Sequence, residues 1–93
     1  MIQSSKELEV GQFVKSRAGR DKDRVFIVVG IMDDFFVQIA DGDLRKLEKP
    51  KIKKVKHLNK LNMISDDVRD KLLNEGKLNN ALLRKEVERA GLL

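Results

Sequence analysis

The sequence predicts a mainly β fold, a small barrel of five short strands followed by two short α-helices. Three observations carry this. Between Val10 and Leu58 apolar residues fall in short runs broken by turn-forming residues, the texture of strands joined by brief loops. After residue 64 the apolar spacing changes to that of amphipathic helices, and Ser65 offers a start signal. The strand-like part is short: roughly fifty residues cannot supply two packed sheets of ordinary size, so its strands are expected to curl on one another.

The elements follow in order. Residues 1–8 look like a loose tail, 9–60 like the barrel and 61–93 like a helical C-terminal extension. A first strand runs from Val10 to Ser16 and contains Phe13 and Val14. The loop from Arg17 to Asp23 leads to a second strand, in which Val25, Ile27, Val29 and Ile31 alternate with Phe26, Val28, Gly30 and Met32. Both parities are apolar there, which predicts a strand buried on both faces. Asp33-Asp34 makes a hairpin turn, because a short carboxylate can bond the backbone just ahead of it. A third strand runs from Phe35 to Ala40, and Asp41-Gly42-Asp43 is a further turn. Leu44–Leu47 is expected as a short strand, and Pro50 suits an edge or a connection. Ile52–Leu58 is expected as the last strand, although Ile52 and Val55 have opposite parity and require a bulge or a late start.

Two helices complete the chain. Ser65 suits an N-cap, Asp66 and Asp67 place negative charge in the first turn, and Gly76 suits a stop. A second helix starts near Asn79 or Asn80. With Asn79 as the cap, Leu78 and Leu83 occupy staple positions, and Leu83, Val87 and Ala90 form one stripe that Gly91 ends. Neither helix is long enough to be stable alone, so each must pack on the other, on the barrel or on a partner.

Composition excludes several functions. The 93 residues include no Cys and one His, so a zinc ribbon, a disulfide scaffold and a cysteine nucleophile are out of reach. His57 has no nucleophile or orienting carboxylate near it in sequence, and Asp33, Asp34, Asp41 and Asp43 lack the ligand ladder of a calcium loop. No glycine-rich phosphate loop is present. No catalytic constellation, cofactor or metal is expected, and the chain is expected not to be an enzyme. The N-terminus lacks the apolar stretch of a signal peptide and no run approaches a membrane span, so a cytoplasmic protein is expected.

The charge is segregated. Of the net +5, residues 1–9 carry −1, residues 10–64 carry +6 and residues 65–93 are neutral. Residues 45–60 alone hold eight Lys/Arg against Glu48. A solvated face kept for solubility would not need to be so lopsided, whereas a polyanion-binding surface would. A row of lysines cannot be buried, so their strand is expected at an edge or rim. Lysine is a point charge that follows a phosphate backbone without reading bases, and arginine adds forked contacts. With no Tyr or Trp, base stacking would fall to Phe13, Phe26, Phe35 or Phe36, which are expected in the core.

The run from Val10-Gly11-Gln12-Phe13 through Arg17-Ala18-Gly19-Arg20-Asp21-Lys22, followed by Val25–Val29, resembles the KOW motif of strand, basic glycine-containing loop and strand. Asp41-Gly42 through Val55-Lys56-His57-Leu58 extends the likeness to the large-subunit ribosomal proteins of the fourteen-e, six-e and twenty-seven-e group and their small bacterial relatives, over about residues 8–60. The resemblance implies an SH3-like barrel that binds structured RNA, ribosomal RNA above all. It also implies that the first loop touches that RNA. The chain departs from the motif at Asp23, where many members have Gly. The RNA-binding residues expected are Lys15, Arg17, Arg20, Lys22 and Arg24 of the first loop region, and Arg45, Lys46, Lys51, Lys53, Lys54, Lys56 and His57 of the second. The alternative is a protein-interaction module whose neutral helical tail docks a partner through Leu72, Leu73, Leu83 and Val87.

Overall fold

The computed structural model describes residues 2–91, so Met1 of the expected tail and the last two residues of the expected extension lie outside it. Five strands, β1 (Gln12–Ser16), β2 (Val25–Ile31), β3 (Phe36–Ala40), β4 (Lys51–Lys54) and β5 (Leu58–Ile64), are followed by α1 (Asp66–Leu73) and α2 (Asn80–Gly91). All neighbouring strands are antiparallel, in the order β4-β3-β2-β1-β5.

The sheet has to curl. Four strand spacings of about 4.8 Å would put the edges of a flat sheet about 19 Å apart. Yet edge strand β4 passes to edge strand β5 through one 3-10 turn, Val55–His57, and such a turn rises only about 2 Å per residue. The register shifts between Gln12 and Val14 in β1 and between Val28 and Gly30 in β2 supply local bends. At the first shift the buried Gln12 amide donates to the Leu61 and Met63 carbonyls, 2.6 and 2.9 Å away.

Curling gives the sheet an inner and an outer core. Val14, Phe26, Val28, Val37, Ile39, Val55 and Leu58 point inward. Phe13, Ile27 and Ala40 point outward and are covered by Val68 of α1 and by Leu83 and Ala90 of α2. The double apolar parity of β2 therefore has its physical cause, one face for the barrel and the other for the helices. Ser65 caps α1 by accepting from the Val68 N–H, and its hydroxyl donates to the buried carboxylate of Glu86, which Arg89 also grips. That link joins the two helices. Asn79 caps α2 by accepting from the Leu82 N–H.

The structure differs from the sequence reading in four places. Residues 2–8 are not a loose tail: Ile2 and Leu8 are buried in the inner core, and Ser5 N–H donates to the Asp34 carbonyl at 2.7 Å. Leu44–Leu47 is not a strand, because the turn begun at Asp41 continues through it. The expected strand Ile52–Leu58 is two strands meeting at the 3-10 turn, which accounts for the mismatched parity of Ile52 and Val55. The sheet consequently extends to Ile64. Finally, α1 stops at Leu73, ahead of Gly76, with Glu75 in the left-handed region at φ 53°.

Candidate functional site

The loop between β1 and β2 is built compactly. Ser16 N–H donates to the Arg24 carbonyl and Asp23 N–H to the Ser16 carbonyl, closing the loop at its base. Asp23 sits at φ 69°, a left-handed position that glycine fills most easily and that Asp tolerates. Asp23 thus occupies a backbone position that Gly could also fill and adds a carboxylate there.

Three contacts bring distant segments to this loop. The Arg17 N–H donates to the His57 carbonyl at 2.8 Å. The Lys53 ammonium donates to the Ala18 carbonyl at 3.1 Å. Arg45 pairs with Asp21 at 3.1 Å. The first loop, the 41–50 loop and His57 at the close of the 3-10 turn thus meet at one end of the barrel, and Lys53 of β4 reaches to it. The lysine-bearing strand β4 is an edge strand, as the cost of burying its charges requires.

The expected RNA-binding residues divide by environment. Arg17, Arg20, Lys22, Lys46, Lys56 and His57 are exposed, and none forms an ion pair among the described residues. Lys15, Lys51 and Lys54 are half-buried along strands, with Lys54 Nζ 6.0 Å above the Phe36 ring. Lys46, Lys49 and Lys51 line a shallow groove of ≈ 550 Å³ with Leu44 and Ile52.

Two of the expected residues are occupied elsewhere. Arg24 bonds Asp41 at 2.8 Å and Asp43 at 2.9 Å, and Arg45 bonds the buried Asp21. These guanidiniums neutralise the turns they flank and are not free forks for phosphate. Lys53 is partly committed too, through Ala18. Asp41 and Asp43, read from the sequence as turn formers, and Asp21 of the first loop turn out to be the partners of these arginines.

Asp41 anchors the second loop. Burial pushes its carboxyl up, but N–H donors of Arg45 and Asp43 and the Arg24 guanidinium outweigh that, and its pKa lies below the ordinary 3.8. A carboxylate depressed on folding stabilises the fold above its unfolded pKa, and that contribution is lost as pH falls through the folded value. Stability should therefore decline below about pH 4, the ordinary aspartate range. Denaturant titrations at stepped pH should show a shallower acid decline in Asp41→Asn, which lacks this titration; an unchanged acid limb would remove Asp41 as its source.

Phe13 and Phe26 are core residues, but Phe35 and Phe36 are 54% and 37% exposed. Phe35 shares the inward parity of Val37 and Ile39 but falls beyond the last paired position, Phe36 opposite Lys54. Its place directly after Asp33-Asp34 was the available signal. Of the four apolar residues proposed for docking through the helices, Leu83 is fully buried against the barrel and Leu72 and Val87 are half-buried there. Only Leu73 stays open, 64% exposed.

Among the described residues no group of three His, Asp or Glu side chains is placed to hold a metal ion. No helix there is long and apolar enough to cross a membrane.

No family model matches the chain. Its sequence is 30% identical, over 71 residues, to the Bacillus subtilis (strain 168) protein named "Putative ribosome-binding protein YbzG". The match spans 76% of this chain and 96% of that relative. At that identity and coverage the relation is one of descent across nearly the whole smaller protein, and the chain belongs to the YbzG family.

Proposed function

We propose that the protein is a non-catalytic, ribosome-associated factor that grips structured ribosomal RNA by its phosphates through the basic end of its barrel. One observation carries this reading: Arg17, Arg20 and Lys22 of the first loop, Lys46 of the second and Lys56 of the 3-10 turn lie exposed, without an acidic partner among the described residues, on segments that the first loop contacts. The printed name of the relative supports a ribosomal partner, and the resemblance to the KOW motif supports RNA as the component touched. Arg17 and Arg20 would each offer a fork to one phosphate, while the lysines act as point charges along the backbone. The groove beside Lys46, Lys49 and Lys51 would extend that track.

Such binding releases counterions and must weaken with salt. If about five phosphates are neutralised, association should fall roughly 10²- to 10³-fold between about 50 and about 200 mM monovalent salt. Co-sedimentation of the full chain with ribosomes across that range tests the reading. Tight binding that stays flat with salt would sink it, as would ribosome capture that persists after nuclease treatment on a protein alone.

A further inference from the structure

The exposed Phe35 lies in a pocket that the phosphate-binding end does not explain. Ile2, Gln3, Phe35, Lys54, Val55 and Lys56 line a hollow of ≈ 350 Å³. Three segments meet to make it: the N-terminal segment, the β2–β3 hairpin tip and the 3-10 turn. Each is held in place. Ser5 binds the Asp33 and Asp34 carbonyls through its hydroxyl and its N–H. The Asp33 carboxylate accepts from the N–H groups of Phe35 and Phe36 at 2.9 Å each. The Val55 N–H donates to the Phe35 carbonyl at 2.8 Å.

We infer that this pocket is a binding site for one unpaired nucleotide of RNA, its base stacked on Phe35 and its phosphate held by Lys54 and Lys56. The inference rests on the RNA-binding reading above and adds a base-contacting site to a surface otherwise built for backbone. Ile2 and Val55 are buried, so the floor is apolar and the exposed ring is a wall beside it. Binding of an unpaired nucleotide commonly combines such a ring, on which the base stacks, with positive charge for the phosphate. The charged residues of the lining are Lys54, whose ammonium rests over the neighbouring Phe36 ring, and the exposed Lys56; among the described residues no carboxylate lines the hollow. The Gln3 amide, exposed at the rim, can donate to and accept from a base edge.

An acidic peptide would find the same charges but not the backbone ladder that strand addition requires. The N–H groups of Phe35 and Val55 are already bonded within the protein. What remains is a ring, an amide and two lysines, a set that suits a base and its phosphate.

The chain has no Trp, so Phe35→Trp places a single indole reporter in the pocket. The probes are a synthetic hairpin RNA with an unpaired loop, a fully paired duplex of equal length and an acidic peptide. The hairpin should quench the indole of the full-length variant, and the duplex should not. Phe35→Ala should weaken hairpin binding about tenfold, toward the lower end of the contribution of one base–aromatic stack. Its duplex affinity and salt slope should stay unchanged, since every phosphate-binding side chain is still present. Two results overturn the site alone: equal hairpin affinity for Phe35→Ala and parent, or an indole response to the peptide but not to the hairpin. Salt-sensitive duplex binding that survives either result would leave the basic end standing. Binding of neither RNA by the parent protein would instead remove the RNA reading itself and the site with it.

Discussion

Changing Arg17, Arg20, Lys22 and Lys56 together to glutamate should lower ribosome affinity at least about a hundredfold at near-physiological salt. Each phosphate that the protein no longer neutralises removes roughly half a decade or more of affinity under those conditions, and each new carboxylate adds repulsion. The fold should tolerate the change. All four side chains are exposed and none is ion-paired among the described residues, and such surface substitutions usually shift stability by no more than about 0.5 kcal/mol each. Reversing Lys77 and Lys85, exposed in the helical part, is the control. Binding isotherms of both variants against ribosomes decide the matter. If the control loses as much affinity per charge, net charge alone is responsible and the barrel end has no special standing. Lys53 and Arg45 are poor choices for this test, because each also holds the barrel end together.

Gly42→Ala should be the most destabilising single substitution in the second loop. Gly42 has φ 79°, where an L side chain costs about 1–2 kcal/mol. A Cβ there would also run into the Asn80 carbonyl group and lie 3.0 Å from Leu83 Cβ, and overpacking of this kind typically adds about 1–3 kcal/mol. The neighbouring backbone has little room to move. Arg84 donates to the Gly42 carbonyl at 2.7 Å, and the Asn80 amide bridges the Leu47 N–H and the Glu48 carboxylate. A loss of about 3 kcal/mol or more corresponds to a melting point lower by roughly 12–24 °C for a domain of this size. Gly19→Ala separates the two causes. Gly19 has a similar φ of 80°, but the nearest atom to its Cβ would be Lys53 Nζ at 3.6 Å, an ordinary contact distance. Only the backbone cost applies there. Thermal melts that give both variants the same loss would show that α2 can withdraw from the barrel cheaply.

The sequence made β1, β2 and β3 legible because their apolar residues fall in short runs bounded by turn residues, and both helix starts because Ser65 and Asn79 are strong caps. It left the far end of the sheet obscure. β5 carries Asn59, Lys60 and Asn62 between its apolar residues, and the side chains that hold it include the buried Gln12, a partner 49 residues away in sequence. The N-terminal segment was obscure for a similar reason: Ile2 and Leu8 show no periodicity, and their burial depends on a hairpin that closes later in the chain. At the site, local charge density marks the basic segments, but which of their charges are paired is decided by the fold. Arg24 and Arg20 look alike in sequence, and only the placement of Asp41 and Asp43 separates them.

The lysines of β4 have a second consequence. An edge strand presents unpaired backbone groups, and a strand from another copy of the chain can add to it as readily as a native neighbour. Lys51, Lys53 and Lys54 surround the one apolar residue of β4, the exposed Ile52. Two such edges meeting would bring the ammonium groups of both copies together without counter-charge. The charges that suit a polyanion therefore also guard the open flank of the sheet against self-association. Trading them for neutral residues to abolish binding would remove that guard, and a binding defect measured that way would be hard to tell from the onset of aggregation.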